Sequence, residues 1–262
     1  MSTGELRLLS WNILQGGGSR CTAILEAIAD HAPDVVCLQE FRGGDAGERL
    51  RAGLSRLGLG HHQVAPTPGP RDNGLMIASR WPFEAEPLTP DPGATVHMLA
   101  TRLRFTGPQG PEPDLPLEEL QLVGVRFPQK EAQIPLFQSL LSLPPAWLEQ
   151  PALLIGDFNC GIPFEDSETR TFYASPLFQQ LLAQGWIDAW RCRHRQEREF
   201  TWFSRMGGAG SGGGHGFRYD HALASPPLDR RLRRVIYDHD VRLAGHSDHS
   251  ALVVVVGEAS SR

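Results

Sequence analysis

Polar side chains stand at the ends of several apolar runs of this 262-residue sequence, in positions where a strand has no need of them. Asn12 ends the first run, Glu40 ends the second, and Asp157 and Asn159 close a third. Alternate residues of an extended segment point to the same side, so Asp157 and Asn159 project into one space. A Ser-Asp-His motif that ends at His249 precedes the last apolar run.

These residue types suit a site for a hard metal ion and a phosphate ester. The oxygen donors are Asn12, Glu40, Asp157, Asn159 and Asp248. Oxygen ligands without cysteine favour Mg²⁺, with Mn²⁺ as the alternative, over zinc. His249 adds a group that holds or moves a proton near neutral pH. A metal offsets the charge on phosphoryl oxygens while a carboxylate activates water, so the set indicates phosphate ester hydrolysis.

Alternating strands and helices would position these groups. Apolar runs predict strands over residues 6–14, 34–41, 74–79, 95–105, 120–127, 151–158, 219–225, 233–238 and 251–256. Amphipathic patterns predict helices over 19–31, 45–58, 130–143 and 176–184. Ligands of open α/β sheets collect at the carboxyl ends of the strands, where the polar residues lie. The pattern predicts an α/β fold with a site at one edge.

One domain spanning residues 1–262 is the most economical organisation. A Pro-rich segment, 107–119, and a segment with seven glycines, 207–216, are predicted to be flexible loops. Neither divides the chain into halves that would each form a core.

Composition excludes several classes of protein. The net charge of −5 disfavours binding to nucleic acid by bulk charge alone. No apolar run approaches the roughly 18 residues of a membrane span, and the N-terminus has no secretion signal. Four widely separated cysteines indicate reduced thiols rather than disulfides or a zinc site. We expect a monomer in the cytoplasm.

The order of the motifs resembles that of the endonuclease/exonuclease/phosphatase superfamily. The matching segments are Trp11-Asn12, Leu38-Gln39-Glu40, the run from Gly74 to Arg80, Gly156-Asp157-Phe158-Asn159, Arg218-Tyr219-Asp220-His221 and Ser247-Asp248-His249. The resemblance implies a four-layer α/β/β/α sandwich, in which two mixed β-sheets pack face to face with helices outside.

The resemblance also implies roles for the site residues. Glu40 would be the principal metal ligand, with Asn12 and Asp248 helping to hold the metal. Asp157 would activate water or bind a second metal, and Asn159 would position the phosphate. His249 would contact or protonate a phosphate oxygen and would be oriented by Asp220, since a buried Asp–His pair keeps an imidazole charged and correctly turned.

Two stretches lean towards the exonuclease III branch, which includes abasic-site endonucleases. One is the segment from Arg126 to Lys130, and the other is the Phe-Thr-Trp-Phe segment around Trp202. Trp202 would stack on a base or fill the hole left by a lost base, the alternative being that it packs the sheet edge. Arg126 stands where relatives of that branch have tyrosine and other branches have histidine. An arginine clamps phosphate without donating a proton, so it would alter substrate preference or weaken activity.

Three functions remain open at this point. The first is a Mg²⁺-dependent phosphodiesterase for DNA, acting as an abasic-site endonuclease or 3′ exonuclease. The second is a phosphatase or phosphodiesterase for a small or lipid-linked phosphate, and the third is a catalytically silent phosphate- or nucleic-acid-binding module. Two arginine-rich runs, over residues 191–198 and 230–234, favour DNA as the partner.

Overall fold

The computed structural model describes residues 4–88, 96–107, 110–111, 115–169, 172–207 and 214–259. The predicted loop over 107–119 is described in part, and there Thr106–Gly107 (β7) pairs with Gly110–Pro111 (β8). Residues 208–213 of the loop predicted over 207–216 lie outside the described residues. The flexibility of both loops and the single domain over 1–262 stay predictions.

Two six-stranded mixed sheets dominate the fold. The first sheet has the strand order β15-β16-β1-β2-β4-β3. Its strands are β1 (Leu6–Asn12), β2 (Val35–Phe41), β3 (His61–Val64), β4 (Gly74–Ser79), β15 (Leu232–Asp238) and β16 (Ala251–Val256). The second sheet has the order β11-β14-β10-β9-β6-β5. Its strands are β5 (Phe83–Glu86), β6 (Met98–Arg104), β9 (Glu119–Arg126), β10 (Ala152–Asp157), β11 (Ile187–Asp188) and β14 (Asp220–Ala224).

Helices and one long hairpin complete the fold. The helices are α1 (Cys21–His31), α2 (Gly44–Arg56), α3 (Ile134–Leu141), α4 (Ala146–Glu149), α5 (Ser175–Gln184), α6 (Pro226–Asp229) and α7 (Asp240–Leu243). The hairpin pairs β12 (Trp202–Gly207) with β13 (Gly214–Phe217).

The central strands are apolar on both faces because both faces are buried. Along β2, Cys37 packs between the two sheets, whereas its neighbour Leu38 packs outward against α1 and α2. Along β10, Ile155 faces the other sheet and Leu154 faces α3 and α5. Three apolar layers thus separate four structural layers, which confirms the predicted α/β/β/α sandwich.

Gly124 on β9 allows the two sheets to approach closely. A Cβ atom at this position would lie 2.6 Å from Sγ of Cys37 on the facing sheet, far inside van der Waals contact. The sheets meet here at a spacing that only glycine permits.

Candidate active site at the edge of the two sheets

The strand registers bring the predicted site residues to one edge of the sandwich. Asn12 lies opposite Gln39 in the parallel pair of β1 and β2. Asp157 lies opposite Arg126 on β9 and opposite Asp220 on β14. A hydrogen bond of 3.0 Å from Nδ2 of Asn12 to Oδ2 of Asp157 joins the two sheets.

Gly156 sets the position of Asp157 at the end of β10. Its φ of 143° is a conformation that side chains rarely adopt, and a Cβ there would lie 2.0 Å from the carbonyl oxygen of Val125. Glycine precedes Asp157 in the motif because only glycine permits this close approach of β10 to β9.

Asn159 holds Asp157 from two sides. Its backbone N–H donates to Oδ1 of Asp157 at 2.9 Å, and its Nδ2 lies 3.3 Å from Oδ2. Nδ2 also donates to the carbonyl oxygen of Phe127 at 2.7 Å. Both amide hydrogens of Asn159 are engaged in this way, so contact with a phosphate requires that one of these bonds be exchanged.

Asp157 is buried, and burial is the main reason why its pKa is raised to about 6. The charge of Asp220 raises the pKa further, whereas His249 and the hydrogen bonds from Asn12 and Asn159 lower it. A carboxyl group with this pKa is ionised near neutral pH and is a better proton acceptor than an ordinary aspartate.

His249 is held in its charged form. Nδ1 of the ring lies 2.9 Å from Oδ2 of Asp220, and both side chains are buried. Burial disfavours the imidazolium, but the charge and hydrogen bond of Asp220, with Asp157 and Asp248, outweigh it and raise the pKa of His249 to about 10. The contact through Nδ1 leaves Nε2 as the ring atom that can act on a ligand.

Asp157, Asp220 and His249 form one buried cluster. One oxygen of each carboxylate and one ring nitrogen lie within 4.8 Å of one another. Two negative charges thus lie beside one positive charge.

Glu40 reaches this edge through a break in the strand pairing. The register of β2 against β4 shifts between Gln39 and Phe41, and Glu40 at this bulge has a φ of 58°. Bulges of this kind re-aim a side chain at the edge of a sheet. Oε2 of Glu40 accepts a hydrogen bond of 2.8 Å from the backbone N–H of Gln15, and Oε1 lies 3.8 Å from Nη2 of Arg126.

Trp202 lies at the site and is tied to it by a hydrogen bond. Its indole Nε1 donates to Oδ2 of Asp248 at 3.1 Å. The half-buried ring lies 5.5 Å from the ring of Tyr219 and 6.5 Å from that of His249. The sequence predicted that Trp202 stacks on a base or packs the sheet edge, and neither prediction included this contact with Asp248.

The donor set fits a hard divalent cation. Oδ1 of Asp248 is buried and has no hydrogen-bond partner among the described residues, and the same is true of Oδ1 of Asp220. An unsatisfied buried carboxylate oxygen is costly unless a cation or water reaches it. Carboxylate oxygens are the ligands that Mg²⁺ or Mn²⁺ prefers. The group of possible ligands that lie within 4.8 Å of one another in the described part of the chain is Asp157, Asp220 and His249, and Glu40 and Asp248 lie outside it.

The arrangement of motifs is shared with a known family. The sequence profile of the Endonuclease/Exonuclease/phosphatase family matches residues 9–249. The chain belongs to this family. No curated protein matches the sequence significantly.

Solved structures of this family share the fold. An AP endonuclease from Archaeoglobus fulgidus superposes with a TM-score of 0.77 and 23% identity, over 96% of this chain and 99% of that one. A 3′-5′ exonuclease, NExo, from Neisseria meningitidis gives a TM-score of 0.73 and 20% identity, over 96% and 100% of the two chains. A structure of the 3′ phosphatase NExo from Neisseria, bound to a product DNA hairpin, gives 0.71 and 21%, over 95% and 98%. The predicted resemblance to the exonuclease III-like members is thereby confirmed.

A buried charge network lies next to Asp220, and its residues Arg218, Asp166 and Asp188 were not among the predicted site residues. Arg218 is fully buried and donates to Oδ1 of Asp166 at 2.6 Å and to Oδ2 of Asp188 at 2.6 Å. The hydroxyl of Tyr237, 3.4 Å from Arg218, donates to the backbone oxygen of Asp220 at 2.7 Å. Although burial raises the pKa of Asp188, Arg218 and His221 hold it well below its usual value. The motif Arg-Tyr-Asp-His contains the signal, since it places Arg218 two residues before Asp220.

Two arginines of the run over 191–198 are paired with carboxylates, and the run over 230–234 lies at the far end of β15. Arg191 pairs with Asp166 at 3.1 Å and Arg193 with Asp229 at 2.7 Å. The run over 230–234 lies at the start of β15, where Leu232 pairs with Val256, whereas the site lies at the other end of that strand. The run over 230–234 therefore lends no support to DNA binding at the site. Among the described residues, no helix has the length and apolarity needed to cross a membrane.

Proposed function

We propose that this protein is a Mg²⁺-dependent phosphodiesterase that acts on DNA, as an abasic-site endonuclease or a 3′ exonuclease, with Mn²⁺ as an alternative cofactor. The observation that carries the proposal is the buried cluster of Asp157, Asp220 and His249, in which the histidine is held charged 2.9 Å from Asp220. The charged imidazole can bind a phosphate oxygen, and Asp157, whose pKa is raised, can accept a proton from water. Phosphate ester hydrolysis needs both groups.

In this proposal His249 binds the reacting phosphate. Nδ1 is engaged with Asp220, so Nε2–H donates to a non-bridging phosphate oxygen and offsets the charge that grows there. Asp157 accepts a proton from the attacking water, since its pKa of about 6 leaves it ionised at neutral pH. Asn12 and Asn159 orient the Asp157 carboxylate by donating to its oxygens.

Glu40, Asn12 and Asp248 would hold the metal. When bound, Mg²⁺ offsets negative charge on the phosphate and on the leaving oxygen. The bulge at Glu40 directs its carboxylate to the edge, and Trp202 holds Asp248 through Oδ2 and leaves Oδ1 available. Asn12 already accepts a hydrogen bond from the backbone N–H of Leu14 at 3.1 Å, so its carbonyl has one lone pair left to offer.

Arg126 and Trp202 would meet the rest of the substrate. The guanidinium of Arg126 lies beside Glu40 and can clamp a phosphate oxygen without donating a proton. The exposed part of the Trp202 ring offers a surface for a base or for the sugar of an abasic nucleotide. Asn159 would contact the phosphate only after it exchanges its bond to Phe127 or Asp157.

DNA is the preferred substrate because of the proteins that share the fold. These proteins are an AP endonuclease, a 3′-5′ exonuclease and a 3′ phosphatase bound to a product DNA hairpin. These likenesses support the choice of DNA at the level of the fold.

A phosphatase or phosphodiesterase for a small or lipid-linked phosphate is the second candidate. Two observations favour it. Arg126 stands where the resemblance to the exonuclease III branch implies a tyrosine. Arg191 and Arg193 are paired with carboxylates, and the run over 230–234 lies away from the site. A silent binding module is the least favoured alternative, because binding alone does not require a charged histidine beside a carboxylate of raised pKa.

A substrate panel tests the first proposal against the second. Purified protein with Mg²⁺ is given a duplex with one abasic analogue, an intact duplex with a recessed 3′ end, and a small phosphate monoester and diester. Nicking at the abasic position or shortening from the 3′ end, stopped by EDTA, is the expected result. If both duplexes survive and the small esters are cleaved, the second function replaces the first, and if nothing is cleaved the binding module remains.

The Arg126→Tyr variant sharpens this test. A gain in abasic cleavage relative to the small esters would show that Arg126 sets substrate preference. The matched control is Arg104→Tyr, at an exposed strand position on β6 away from the edge, which should leave the ratio of activities unchanged.

A further inference from the structure

A cavity lies beside the edge strand β15, away from the catalytic edge. Its volume is about 790 Å³, and its lining includes Arg193, Arg230, Arg233 and Arg234. Sites for small organic ligands occupy about 300–1,000 Å³. The carboxylate in this lining, Asp229, is already paired with Arg193 at 2.7 Å, so the cavity carries a net positive charge.

Two of the four arginines, Arg230 and Arg234, have side chains without a partner among the described residues. The guanidinium group of Arg193 is already hydrogen-bonded within the protein, since it donates to Asp229 and to the backbone oxygens of Ala189 and Leu232. Arg230 and Arg234 are exposed, and neither has a hydrogen bond or an ion pair from its side chain within the described part of the chain. Two unpaired guanidinium groups therefore face the same cavity.

A β-bulge shapes this wall. Leu232 pairs with Val256 and Arg234 with Val255, so Arg233 is an extra residue in the ladder. Such an insertion twists the strand and redirects its side chains. Beyond the bulge, Arg234 and Ile236 are alternate residues that line the cavity together, and Ile236 is 39% exposed. The wall thus combines cations with an apolar surface.

The cavity is separate from the proposed catalytic edge. Its lining runs along β15 from Leu232 to Ile236, and Arg234 lies four residues before Asp238, which pairs with Ala251, two residues after His249. Four extended residues span about 13 Å. A phosphate bound in this cavity is therefore not the one that His249 would contact.

We propose that this cavity binds a small molecule that carries a phosphate or pyrophosphate group. Arg230 and Arg234 bind the anion, because a guanidinium donates two parallel hydrogen bonds to phosphate oxygens. Ile236 packs against the organic part of the ligand where there is one. A cavity of this size admits a small ligand. The site is independent of the reaction proposed above.

Titration calorimetry on the full chain tests the site. Inorganic pyrophosphate, ADP and adenosine are each titrated into the protein in the presence of EDTA. The proteins are the wild type, an Arg230→Ala/Arg234→Ala double variant and an Arg49→Ala/Arg56→Ala control. The control pair lies exposed on α2. We expect pyrophosphate and ADP to bind the wild type and the control alike and the double variant about tenfold or more weakly, as two lost charged hydrogen bonds require.

The two sources of the anion give different results. ADP that binds more tightly than pyrophosphate identifies a nucleotide, and equal affinity identifies a free inorganic anion; both agree with the proposal. Adenosine that binds as well as ADP overturns it, as does unchanged binding in the double variant. A double variant that binds normally but self-associates would show instead that the arginines protect an edge strand from pairing.

Cys192 provides a second measurement. It lines the cavity and is half-buried, whereas the three other cysteines, Cys21, Cys37 and Cys160, are buried. Burial raises the pKa of the Cys192 thiol to about 11, so alkylation is followed at pH 9 with Cys192→Ser as the blank. Pyrophosphate should slow the alkylation of Cys192 in the wild type and not in the double variant. An unchanged rate in the wild type overturns the proposal.

Discussion

Nδ1 of His249 lies 2.9 Å from Oδ2 of Asp220, a residue of the other sheet. His249 precedes β16 of the first sheet, and Asp220 begins β14 of the second. The backbone of Asp220 is in turn held by the hydroxyl of Tyr237, on β15 of the first sheet. The charged state of the histidine therefore depends on how the two sheets are stacked.

The pH dependence of turnover should have two limbs. Asp157 must be ionised to accept a proton, so kcat/KM should rise through a pKa of about 6. His249 must be charged to bind phosphate, so kcat/KM should fall through a pKa of about 10.

In Asp220→Asn the negative charge beside His249 is lost, so the alkaline limb should move to lower pH. A pH profile of kcat/KM checks this, with the exposed Asp30→Asn on α1 as the control. An alkaline limb that stays in place in Asp220→Asn contradicts the pairing.

Glu40→Gln should remove metal binding while it preserves the fold. The amide oxygen can still accept from the backbone N–H of Gln15, but the ligand charge is lost. We expect Mn²⁺ affinity and turnover to fall by more than about 100-fold, beyond what the loss of an outer-shell contact produces. Mn²⁺ binding by electron paramagnetic resonance measures this, with Glu26→Gln on the exposed face of α1 as the control. Wild-type metal affinity in Glu40→Gln would remove Glu40 from the ligand set.

Trp202→Phe should weaken metal binding through Asp248. The substitution keeps an aromatic ring but deletes the Nε1–H that donates to Oδ2 of Asp248 at 3.1 Å. Loss of a hydrogen bond to a metal ligand lowers metal affinity by about 10-fold or more. The Mg²⁺ concentration for half-maximal activity measures the effect. Trp147→Phe, on α4, is the control. If the half-maximal Mg²⁺ concentration is unchanged and only the substrate KM rises, Trp202 acts on the substrate alone.

Arg218→Met should destabilise the protein by about 3–5 kcal/mol, because it removes the buried cation that Asp166 and Asp188 share. Urea unfolding measures the loss. Arg195→Met, at an exposed arginine, should change the free energy of unfolding by less than about 0.5 kcal/mol. Equal stability of the two variants would show that Arg191 and His221 compensate the carboxylates without Arg218.

Strands with buried faces were predictable, whereas the edge strands β3 and β5 were not. β15 also lies at a sheet edge, and its prediction over 233–238 matches Leu232–Asp238 within one residue. The predicted strand over 251–256 coincides with β16, and those over 34–41 and 74–79 match β2 and β4 within one residue. β3 and β5 escaped prediction because they lie at sheet edges, where partly exposed residues such as His61 and Glu84 replace an apolar run. The predicted helix over 130–143 is a 3-10 turn over Lys130–Gln133 followed by α3.

The sequence by itself determined the family, the fold class and the identity of the candidate site residues, because each lies in a short motif at a strand end. The roles of those residues stay predictions. Only the tertiary structure decided which groups touch: Trp202 with Asp248, Glu40 with Arg126, and Arg218 with Asp166 and Asp188. It also decided that the run over 230–234 lies at the far end of β15 from the site. The physical reason is that burial and partners depend on residues tens of positions away in the chain, and no local pattern encodes those distances.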